Sequence, residues 1–553
     1  MRNRTYTIIA IVLIAIVVIG VVSYIYYPKP ASAKVQSTYT EAVVLPFVID
    51  PAMAASGSAP ETAFNNLYDD LVYLGANNTL VPNAAQSWNV SQDGLTYTFV
   101  LRQGIKWHDG NGTMNAEDVV FSMNRLLTIG QGVGYLYAPF LASVTAVDQY
   151  TVQFNLNQTF GPFVASLQKF FIVEKSLILA HIAFPGSYGA MGDYGTGWMS
   201  THDAGSGAYM VKSFDPATGL VADLFTGYWG EVMPNAPDVL QLLGISDPTV
   251  ITSMFKDRTL ENAGDYASDE LCAQLAMING VSLYSDLDSS IVYTLSLNTK
   301  IAPLDDIHVR LAMFYAFNYT ALQQAFSQYW TQFGNYMATN IVTNWLPGAD
   351  PTLNQPFQQN LTLAKQELSE SKYASNITDY TIEYDYVTEV AAREKLALVF
   401  ASSMTELGLN VKTVSTPWAT MLSKFADESM PVVEIGFYLD YAEAVDELQS
   451  RYSTATDKTF YNNAHIDNQT IDNTIDQIIS NVNATERYQE EYALEHTMLN
   501  MCVDIPLVQW QFYTAYQSGY VDLSQALKIP DFFSVSAFCR LIQEYPAKRA
   551  ALL

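Results

Sequence analysis

Residues 380–438 constrain the fold more than any other part of the chain, because strand-like and helix-like patterns alternate there. Strands are predicted over 380–387, 409–414 and 432–438, where β-branched and aromatic residues recur. Apolar residues at helical spacing separate them, and Gly408 follows the first helix as a C′ glycine. This β-α-β-α-β order predicts parallel strands with right-handed crossovers, and so an α/β fold.

The ends of these elements place one acidic side chain. A helix is predicted over 389–407, and Thr416 is predicted to cap a second helix that starts with Pro417. In parallel sheets, ligands bind beyond the carboxyl ends of the strands. Asp440 lies two residues past the third strand, so topology alone places it at a ligand-binding edge. The alternative is that Asp440 caps the next helix.

Two further strands and two further helices are predicted from local patterns. Strands over 87–90 and 95–101 flank Asp93-Gly94, a pair typical of hairpin turns. Asn115 is predicted to cap a helix with acids in its first turn. A single helix is predicted from about residue 306 to 328, with an apolar stripe facing the core. This stripe consists of Ile307, Leu311, Phe314, Leu322 and Phe326.

The composition predicts a large exported globular body. The chain has 553 residues, which is enough for two or three sub-domains, and 49% are hydrophobic. The formal net charge is −28, and lysine and arginine are scarce, which argues against a nucleic-acid partner. Only 15% of residues are charged, which suits an exposed, acidic environment where fewer carboxylates change charge.

The amino terminus predicts the compartment. Arg2 and Arg4 precede an apolar run over 8–25, which as a helix would span about 27 Å. Residues 1–33 are either a signal peptide cleaved after Ala31-Ser32-Ala33 or an uncleaved signal anchor, followed by a tether. In both cases the helix contacts the membrane and the body is exported.

Nine N-x-S/T sequons support export, about twice the number expected by chance. They begin at Asn77, Asn89, Asn111, Asn157, Asn318, Asn360, Asn376, Asn468 and Asn483. The three cysteines, Cys272, Cys502 and Cys539, allow at most one disulfide, or they are small buried hydrophobic residues.

Catalytic and metal-binding motifs are not found in the sequence. G-x-S-x-G, H-E-x-x-H and P-loop patterns are all missing, so we predict neither an enzyme nor a cofactor or metal. The glycines over 130–134 follow a helix rather than a strand, and we interpret them as a flexible loop. His108 follows a hairpin and is interpreted as structural.

A series of segments occurs in a characteristic order along the chain. The most specific stretch runs from Pro82-Asn83-Ala84-Ala85-Gln86-Ser87-Trp88 to Leu101-Arg102-Gln103-Gly104-Ile105-Lys106-Trp107-His108-Asp109-Gly110. Further segments are Ile49-Asp50-Pro51, 67–72, 115–122, 205–209, 228–230 and 297–299. In this order the segments resemble the family 5 extracellular solute-binding proteins of ABC transporters, the dipeptide, oligopeptide and nickel-binding group. The resemblance covers about residues 45 to 540.

The resemblance implies a two-lobed, hinged fold like that of periplasmic binding proteins. Lobe I would comprise residues 38–79, 198–297 and 513–545. An extra domain would be inserted over 80–197, and lobe II would comprise 298–512.

The resemblance also implies a ligand anchor. In peptide-binding members, the Asp of a W-x-x-D-Y-x-[DE]-P segment pairs with the ligand's α-amino group, and Asp440 and Tyr441 take the Asp and Tyr positions here. Phe437 replaces Trp and Ala444 replaces Pro, which leaves the solute open. The expected ligand-contacting residues are Gly436, Phe437, Tyr438, Asp440 and Tyr441.

These expectations describe a monomeric binding protein at the extracellular face of the cytoplasmic membrane. It would capture a peptide in the cleft between the lobes and pass it to the permease subunits of an ABC transporter. The alternatives within the family are an oligosaccharide or a nickel chelate as solute. The alternatives from other classes are a secreted hydrolase and a surface-layer component.

Overall fold

The computed structural model describes residues 36–54, 58–75, 79–264, 267–326, 336–388, 391–526 and 538–552. The chain divides into a unit over Met1–Ser37 and a second, much larger unit over Thr38–Leu553. All helices and strands with described bounds belong to the second unit. The predicted signal helix and the sequon at Asn77 lie outside the described residues.

The described strands are numbered in chain order. They are β1 (Thr38–Val43), β2 (Asp69–Asp70), β3 (Val72–Gly75), β4 (Thr79–Pro82), β5 (Ala85–Val90), β6 (Thr96–Leu101), β7 (Leu141–Asp148), β8 (Thr151–Leu156), β9 (Phe171–Ile172), β10 (Tyr209–Asp215), β11 (Gly219–Leu224), β12 (Val239–Gly244), β13 (Ser282–Leu297), β14 (Tyr336–Met337), β15 (Thr381–Val387), β16 (Asn410–Thr416), β17 (Val432–Gly436), β18 (Asp504–Tyr516), β19 (Val521–Asp522) and β20 (Gln543–Glu544).

The described α-helices are numbered in the same way. They are α1 (Ser58–Leu67), α2 (Ala116–Ile129), α3 (Phe163–Ser166), α4 (Lys175–Ala180), α5 (Thr196–Met199), α6 (Pro248–Lys256), α7 (Asp269–Leu275), α8 (Ile307–Ala316), α9 (Tyr319–Ala325), α10 (Leu361–Glu370), α11 (Ala391–Leu407), α12 (Trp418–Ala426), α13 (Ala444–Tyr452), α14 (Gln469–Ser480), α15 (Ala484–Met501) and α16 (Pro546–Leu552).

The largest described sheet has six strands in the order β14-β18-β13-β17-β15-β16. β15 pairs in parallel with β16 on one side and with β17 on the other, which confirms the parallel pairing predicted for residues 380–438. β13 pairs antiparallel with both β17 and β18. The sheet is therefore mixed, with its parallel part formed by the β-α-β-α-β segment.

The predicted cap at Thr416 is wrong. Thr416 is the last residue of β16, and its hydroxyl donates to the buried carboxylate of Asp385 at 2.7 Å. The helix α12 begins at Trp418, with Pro417 at its N-cap. The Thr416 side chain joins two neighbouring strands, so it does not cap the helix.

The single helix predicted over 306–328 is also wrong, because the structure has two helices, α8 and α9, in this range. Phe317 is extended, and Asn318 caps α9 by accepting from the backbone N–H of Ala321 at 2.8 Å. The buried face of α8 also differs from the predicted stripe, because Ile307 is 39% exposed whereas Val309 is buried.

A four-stranded antiparallel sheet, β5-β6-β8-β7, contains the predicted hairpin. Gly94 has φ +70° in the turn, as its place in a hairpin requires. Helix α2 packs on β7 and β8 and begins at the predicted cap. There Asn115 accepts from the backbone of Glu117, and Asp118 accepts from the backbone of Asn115.

A second four-stranded sheet, β1-β12-β11-β10, is connected to the six-stranded sheet by a long ribbon. β13 and β18 pair antiparallel from Ser282 opposite Tyr516 to Ser296 opposite Asp504. Asn262 forms bridges to Glu41 in β1 and to Tyr516 at the end of β18. The same two strands thus extend from one sheet toward the other.

The largest hydrophobic core joins segments that are distant in sequence. It includes Phe163 beside the hairpin sheet as well as Leu439 and Tyr441 after β17. A separate core lies under the six-stranded sheet. None of the three cysteines, all of which are described and buried, forms a disulfide. They are therefore small buried hydrophobic residues, one of the two alternatives left open by the sequence.

Candidate functional site

The candidate site begins where β17 ends, in the segment that leads to α13. Along this segment exposure alternates, since Phe437, Leu439 and Tyr441 are each 2% exposed while Tyr438 and Asp440 are partly exposed. Such alternation is typical of extended backbone. Asp440 therefore lies on the less buried side of an extended segment, past the end of a central strand.

Gly436, the last residue of β17, allows a close approach of an aromatic ring. A Cβ atom at this position would lie 2.6 Å from the ring of Tyr293 on the neighbouring strand β13. Any larger residue would displace this ring. The glycine thus has a packing role at the start of the site.

The backbone around Asp440 is held by Asp446, in the first turn of α13. One carboxylate oxygen of Asp446 accepts from the N–H of Asp440 at 2.6 Å and from the N–H of Tyr441 at 3.3 Å. An acid is favoured in the first turn of a helix, where the dipole is positive. Asp446 is only 2% exposed, so this connection is part of the interior.

Two side chains from much earlier in the sequence reach this segment. The hydroxyl of Tyr135, on the 3-10 helix Gly132–Leu136, donates to the Asp440 carboxylate. The ammonium of Lys169 donates to the carbonyl of Leu439 at 2.7 Å and lies 3.1 Å from a carboxylate oxygen of Glu61 in α1. Four parts of the chain therefore meet at the site.

Burial dominates the electrostatics of the two aspartates. It raises the pKa of Asp440, although the Lys169 ammonium and the Tyr135 hydroxyl oppose the change. Burial also raises the pKa of Asp446 well above its usual value, and the charge of Asp440 adds to the effect. Two neighbouring buried carboxyl groups hold a proton more readily than either would alone.

For the Lys169 ammonium, the effect of burial on the pKa is outweighed by the neighbouring charges. Burial lowers the pKa of the ammonium, but the carboxylates of Glu61 and Asp440 outweigh it and the net shift is upward. The side chain is therefore a charged ammonium at neutral pH, enclosed by protein.

Aromatic side chains pack around the anchor segment. The ring of Phe437 contacts the ring of Tyr461 with centroids 4.6 Å apart, and the ring of Tyr441 contacts Phe160 at 5.9 Å. The structure thus brings the five predicted residues together, but Phe437 and Tyr441 pack in the core. Asp440 and Tyr438 are the predicted side chains that are more accessible.

Four residues of the site were not predicted from sequence: Glu61, Tyr135, Lys169 and Asp446. Asp446 carried a usable signal, because an acid in the first turn of the next helix often binds backbone N–H groups. Tyr135 directly follows the glycine segment 130–134, which was interpreted as a flexible loop, and the structure has a 3-10 helix over Gly132–Leu136. Tyr135 and Lys169 reach the segment after β17 across 305 and 270 residues of sequence.

His108 has a structural environment, as predicted. It is buried, one ring nitrogen lies 2.5 Å from the Asp203 carboxylate, and the other lies 2.9 Å from the carbonyl of Gly207. Burial lowers the pKa of His108, but Asp203 outweighs it and the net shift is upward. Both ring nitrogens are thus used within the fold.

Two groups of described side chains combine donors of the type that metals prefer: His308 with Glu367 and Glu370, and Glu428 with Asp457 and His465. In each group, ion pairs within the protein account for the close approach of the side chains. His308 lies 2.9 Å from Glu367, and the Lys300 ammonium lies 3.1 Å from both Glu428 and Asp457.

Several sequon asparagines have a structural role. The side chains of Asn318, Asn360, Asn468 and Asn483 each accept from the backbone at the start of a helix. Asparagine is among the best N-cap residues, so part of the excess of sequons is explained by capping. Among the sequon asparagines that the structure describes, the exposed ones are Asn89, Asn111, Asn157, Asn360 and Asn483.

No helix among the described residues has both the length and the apolar character needed to cross a membrane.

Comparison with protein families gives a match to the bacterial extracellular solute-binding proteins, family 5, over residues 79–459. The dipeptide-binding protein of Escherichia coli (strain K12) is 25% identical over 430 residues, covering 73% of this chain and 76% of that protein. Heme-binding protein A of Haemophilus influenzae is 24% identical over 513 residues, covering 87% of each.

A solved structure supports the same fold. The ABC transporter substrate-binding protein CtaP of Listeria monocytogenes superposes with a TM-score of 0.78 at 18% identity, covering 92% of this chain and 100% of that one. The mixed α/β architecture is therefore common to this chain and to solved binding proteins.

Proposed function

Because the chain belongs to the bacterial extracellular solute-binding proteins of family 5, we propose that it captures a peptide outside the cell and delivers it to the permease subunits of an ABC transporter. It acts as a monomer at the outer face of the cytoplasmic membrane, held there by the helix predicted over residues 8–25. It binds its solute without chemical change.

One observation supports the proposal most directly. The carboxylate of Asp440 lies past the end of a central strand, and a side chain from a distant part of the chain contacts it. Asp440 follows β17 and receives a hydrogen bond from Tyr135. Ligands of open α/β sheets bind at this edge. The site therefore combines an anchor for a positive or hydrogen-bond-donating group with side chains that can close over it.

The body would consist of two lobes and an insert. Lobe I (38–79, 198–297 and 513–545) would hold the sheet β1-β12-β11-β10, and the insert (80–197) would hold the hairpin sheet. Lobe II (298–512) would hold most of the six-stranded sheet. The paired strands β13 and β18 extend to the lobe boundaries, so they are the candidate hinge.

A peptide is the proposed solute because the site offers the features that peptides require. The amino-terminal end of the ligand would face Asp440, where it displaces the Tyr135 hydroxyl. The extended backbone over 436–440 would pair with the ligand as an added strand, which gives affinity without side-chain selectivity. The relative from Escherichia coli is named as a dipeptide-binding protein, which supports this class of ligand.

Replacing the anchor tests the role of Asp440. Asp440→Asn is expected to weaken peptide binding by about 2–5 kcal/mol, because a buried charged partner is left unpaired. The matched control is Asp467→Asn, which makes the same change at an exposed aspartate. Isothermal titration of both variants measures the difference. Equal affinity of Asp440→Asn and the wild-type protein would contradict the anchor role.

The solute class is tested by thermal melting of the purified protein. The panel contains di- to octapeptides, cello- and malto-oligosaccharides and a nickel chelate. A ligand at 100 times its dissociation constant stabilises the native state by about 2.7 kcal/mol, which is a readily measured shift. Melting shifts with peptides would support the proposal. Shifts with sugars alone, or with the chelate alone, would show that the solute is not a peptide.

Two further measurements distinguish the alternative classes of protein. Turnover of chromogenic ester and glycoside substrates would identify a hydrolase. Ordered two-dimensional arrays, with no melting shift from any ligand, would identify a surface-layer component.

A further inference from the structure

Lys169 belongs to the proposed insert, but its ammonium lies against the backbone of proposed lobe II. It donates to the carbonyl of Leu439, the residue before Asp440, at 2.7 Å. The residue as a whole is 7% exposed. A cation of the protein therefore lies against the residue next to Asp440, the side chain to which the proposed function assigns the amino-terminal end of a ligand.

The position of Lys169 is well determined by its surroundings. It ends the short 3-10 helix Leu167–Lys169, and both Leu167 and Phe170 are buried in the large core. The strand β9 follows directly and pairs with β2. The backbone at Lys169 is thus fixed on both sides, so the direction of the side chain is set by packing.

Burying an ammonium is unfavourable unless other groups compensate it. The side chain loses rotamer freedom and the charge loses its hydration. Here the Glu61 carboxylate, 3.1 Å away, and the Leu439 carbonyl provide direct contacts. The charge of Asp440 is a further stabilising partner of Lys169.

This arrangement changes what Asp440 can offer a ligand. A ligand ammonium beside Asp440 would be repelled by the charge of Lys169. The attraction between this ammonium and Asp440 would also be weakened, because the Lys169 charge partly compensates the Asp440 carboxylate. A neutral donor, such as an amide N–H or a hydroxyl, is not subject to this repulsion. Charge effects at such sites are large because buried pairs are poorly screened.

We propose that Lys169 is a specificity-determining residue whose ammonium is the resident counter-ion of Asp440. As a result, the cleft binds peptides with a blocked, uncharged amino terminus about as well as peptides with a free ammonium. This inference rests on the proposed function and names the ligand class more closely.

The test compares two forms of one peptide. The tightest peptide of the melting panel and its N-acetylated form are titrated into the wild-type protein and into Lys169→Met, which retains much of the side-chain volume without the charge. The wild-type affinities are expected to agree within about tenfold. Lys169→Met is expected to raise the preference for the free ammonium by at least about tenfold.

Two further variants keep the test valid if Lys169→Met does not fold. Lys169→Arg retains the charge, so its preference should stay within about twofold of the wild type. The double variant Glu61→Gln/Lys169→Met removes the Glu61 carboxylate together with the ammonium, so Glu61 is not left as a buried unpaired charge. Its preference should shift in the same direction as that of the single variant. If removal of the Lys169 charge leaves the preference unchanged within about twofold, the inference is overturned.

A measurement without ligand distinguishes this inference from the proposed function. Melting temperatures of the wild-type protein, Lys169→Met, Asp440→Asn and the double variant Lys169→Met/Asp440→Asn form a double-mutant cycle. Non-additive effects support a direct charge interaction, and additive effects overturn it. If no peptide of either form binds the wild-type protein, the proposed function fails, and the cycle still decides whether Lys169 is the counter-ion of Asp440.

Discussion

At the scale of single residues, several motifs that indicated the family have structural causes. Asp50, in the Ile49-Asp50-Pro51 motif, forms a two-point ion pair with Arg125, with N–O distances of 2.7 and 2.6 Å. Both side chains are at most 2% exposed. The same carboxylate accepts from the N–H of Ala52 at 3.0 Å. The motif therefore holds the amino-terminal part of the body to α2.

Breaking this pair should destabilise the protein strongly. Asp50→Asn leaves the Arg125 charge buried with a neutral partner, and we expect the free energy of unfolding to fall by about 3–5 kcal/mol. Urea denaturation followed by circular dichroism measures the change. Asp467→Asn at an exposed position serves as the control and should change stability by less than about 0.5 kcal/mol. A loss below about 1 kcal/mol in Asp50→Asn would contradict the assigned role.

At the scale of elements, local patterns located helices and strands better than they located helix breaks. The apolar stripe resumes at Leu322, beyond Phe317 and Asn318, so one helix was predicted. The structure ends α8 at Ala316 and starts α9 at Tyr319. The backbone N–H of Asn318 donates to the hydroxyl of Ser403 at 3.1 Å, a contact with α11 that no local pattern contains.

The cap at Asn318 gives a prediction that separates its structural role from its sequon. Asn318→Ala should lower the free energy of unfolding by about 0.5–2 kcal/mol, because the N–H of Ala321 loses its acceptor. Asn318→Asp removes the sequon but keeps an acceptor, so its stability should be close to that of the wild type. Both are compared by urea denaturation of unglycosylated protein. Equal loss in the two variants would argue against capping.

At the scale of the whole molecule, a set of carboxyl groups is buried in the interior of a chain with net charge −28. Burial raises the pKa of Glu447 to about 7 and those of Glu495 and Glu544 to about 8. A raised carboxyl pKa means that the folded state binds protons more tightly than the unfolded state. Such groups stabilise the fold below about pH 4.5, and this contribution is lost as pH rises to about 8.

Stability should therefore fall as the pH is raised from 5 to 8. Each such group contributes a slope of at most about 1.4 kcal/mol per pH unit within the window between its unfolded and folded pKa. Urea denaturation at several pH values measures the slope. Glu544→Gln removes one group, so it should raise stability at pH 8 relative to the wild type and change it little at pH 5. A stability that rises from pH 5 to 8 would contradict this balance.

The sequence by itself determined the strands within residues 380–438, the hairpin and the position of Asp440 after the third strand, because hydrophobic periodicity and turn pairs act over a few residues. Parallel pairing of β15 with its neighbours also followed, since a β-α-β order leaves few alternatives. Only the tertiary structure decided which side chains meet Asp440. Lys169 and Tyr135 reach this segment across 270 and 305 residues of sequence, through the packing of separate parts of the chain. Their charge and hydrogen bonds depend on burial, which no local pattern encodes.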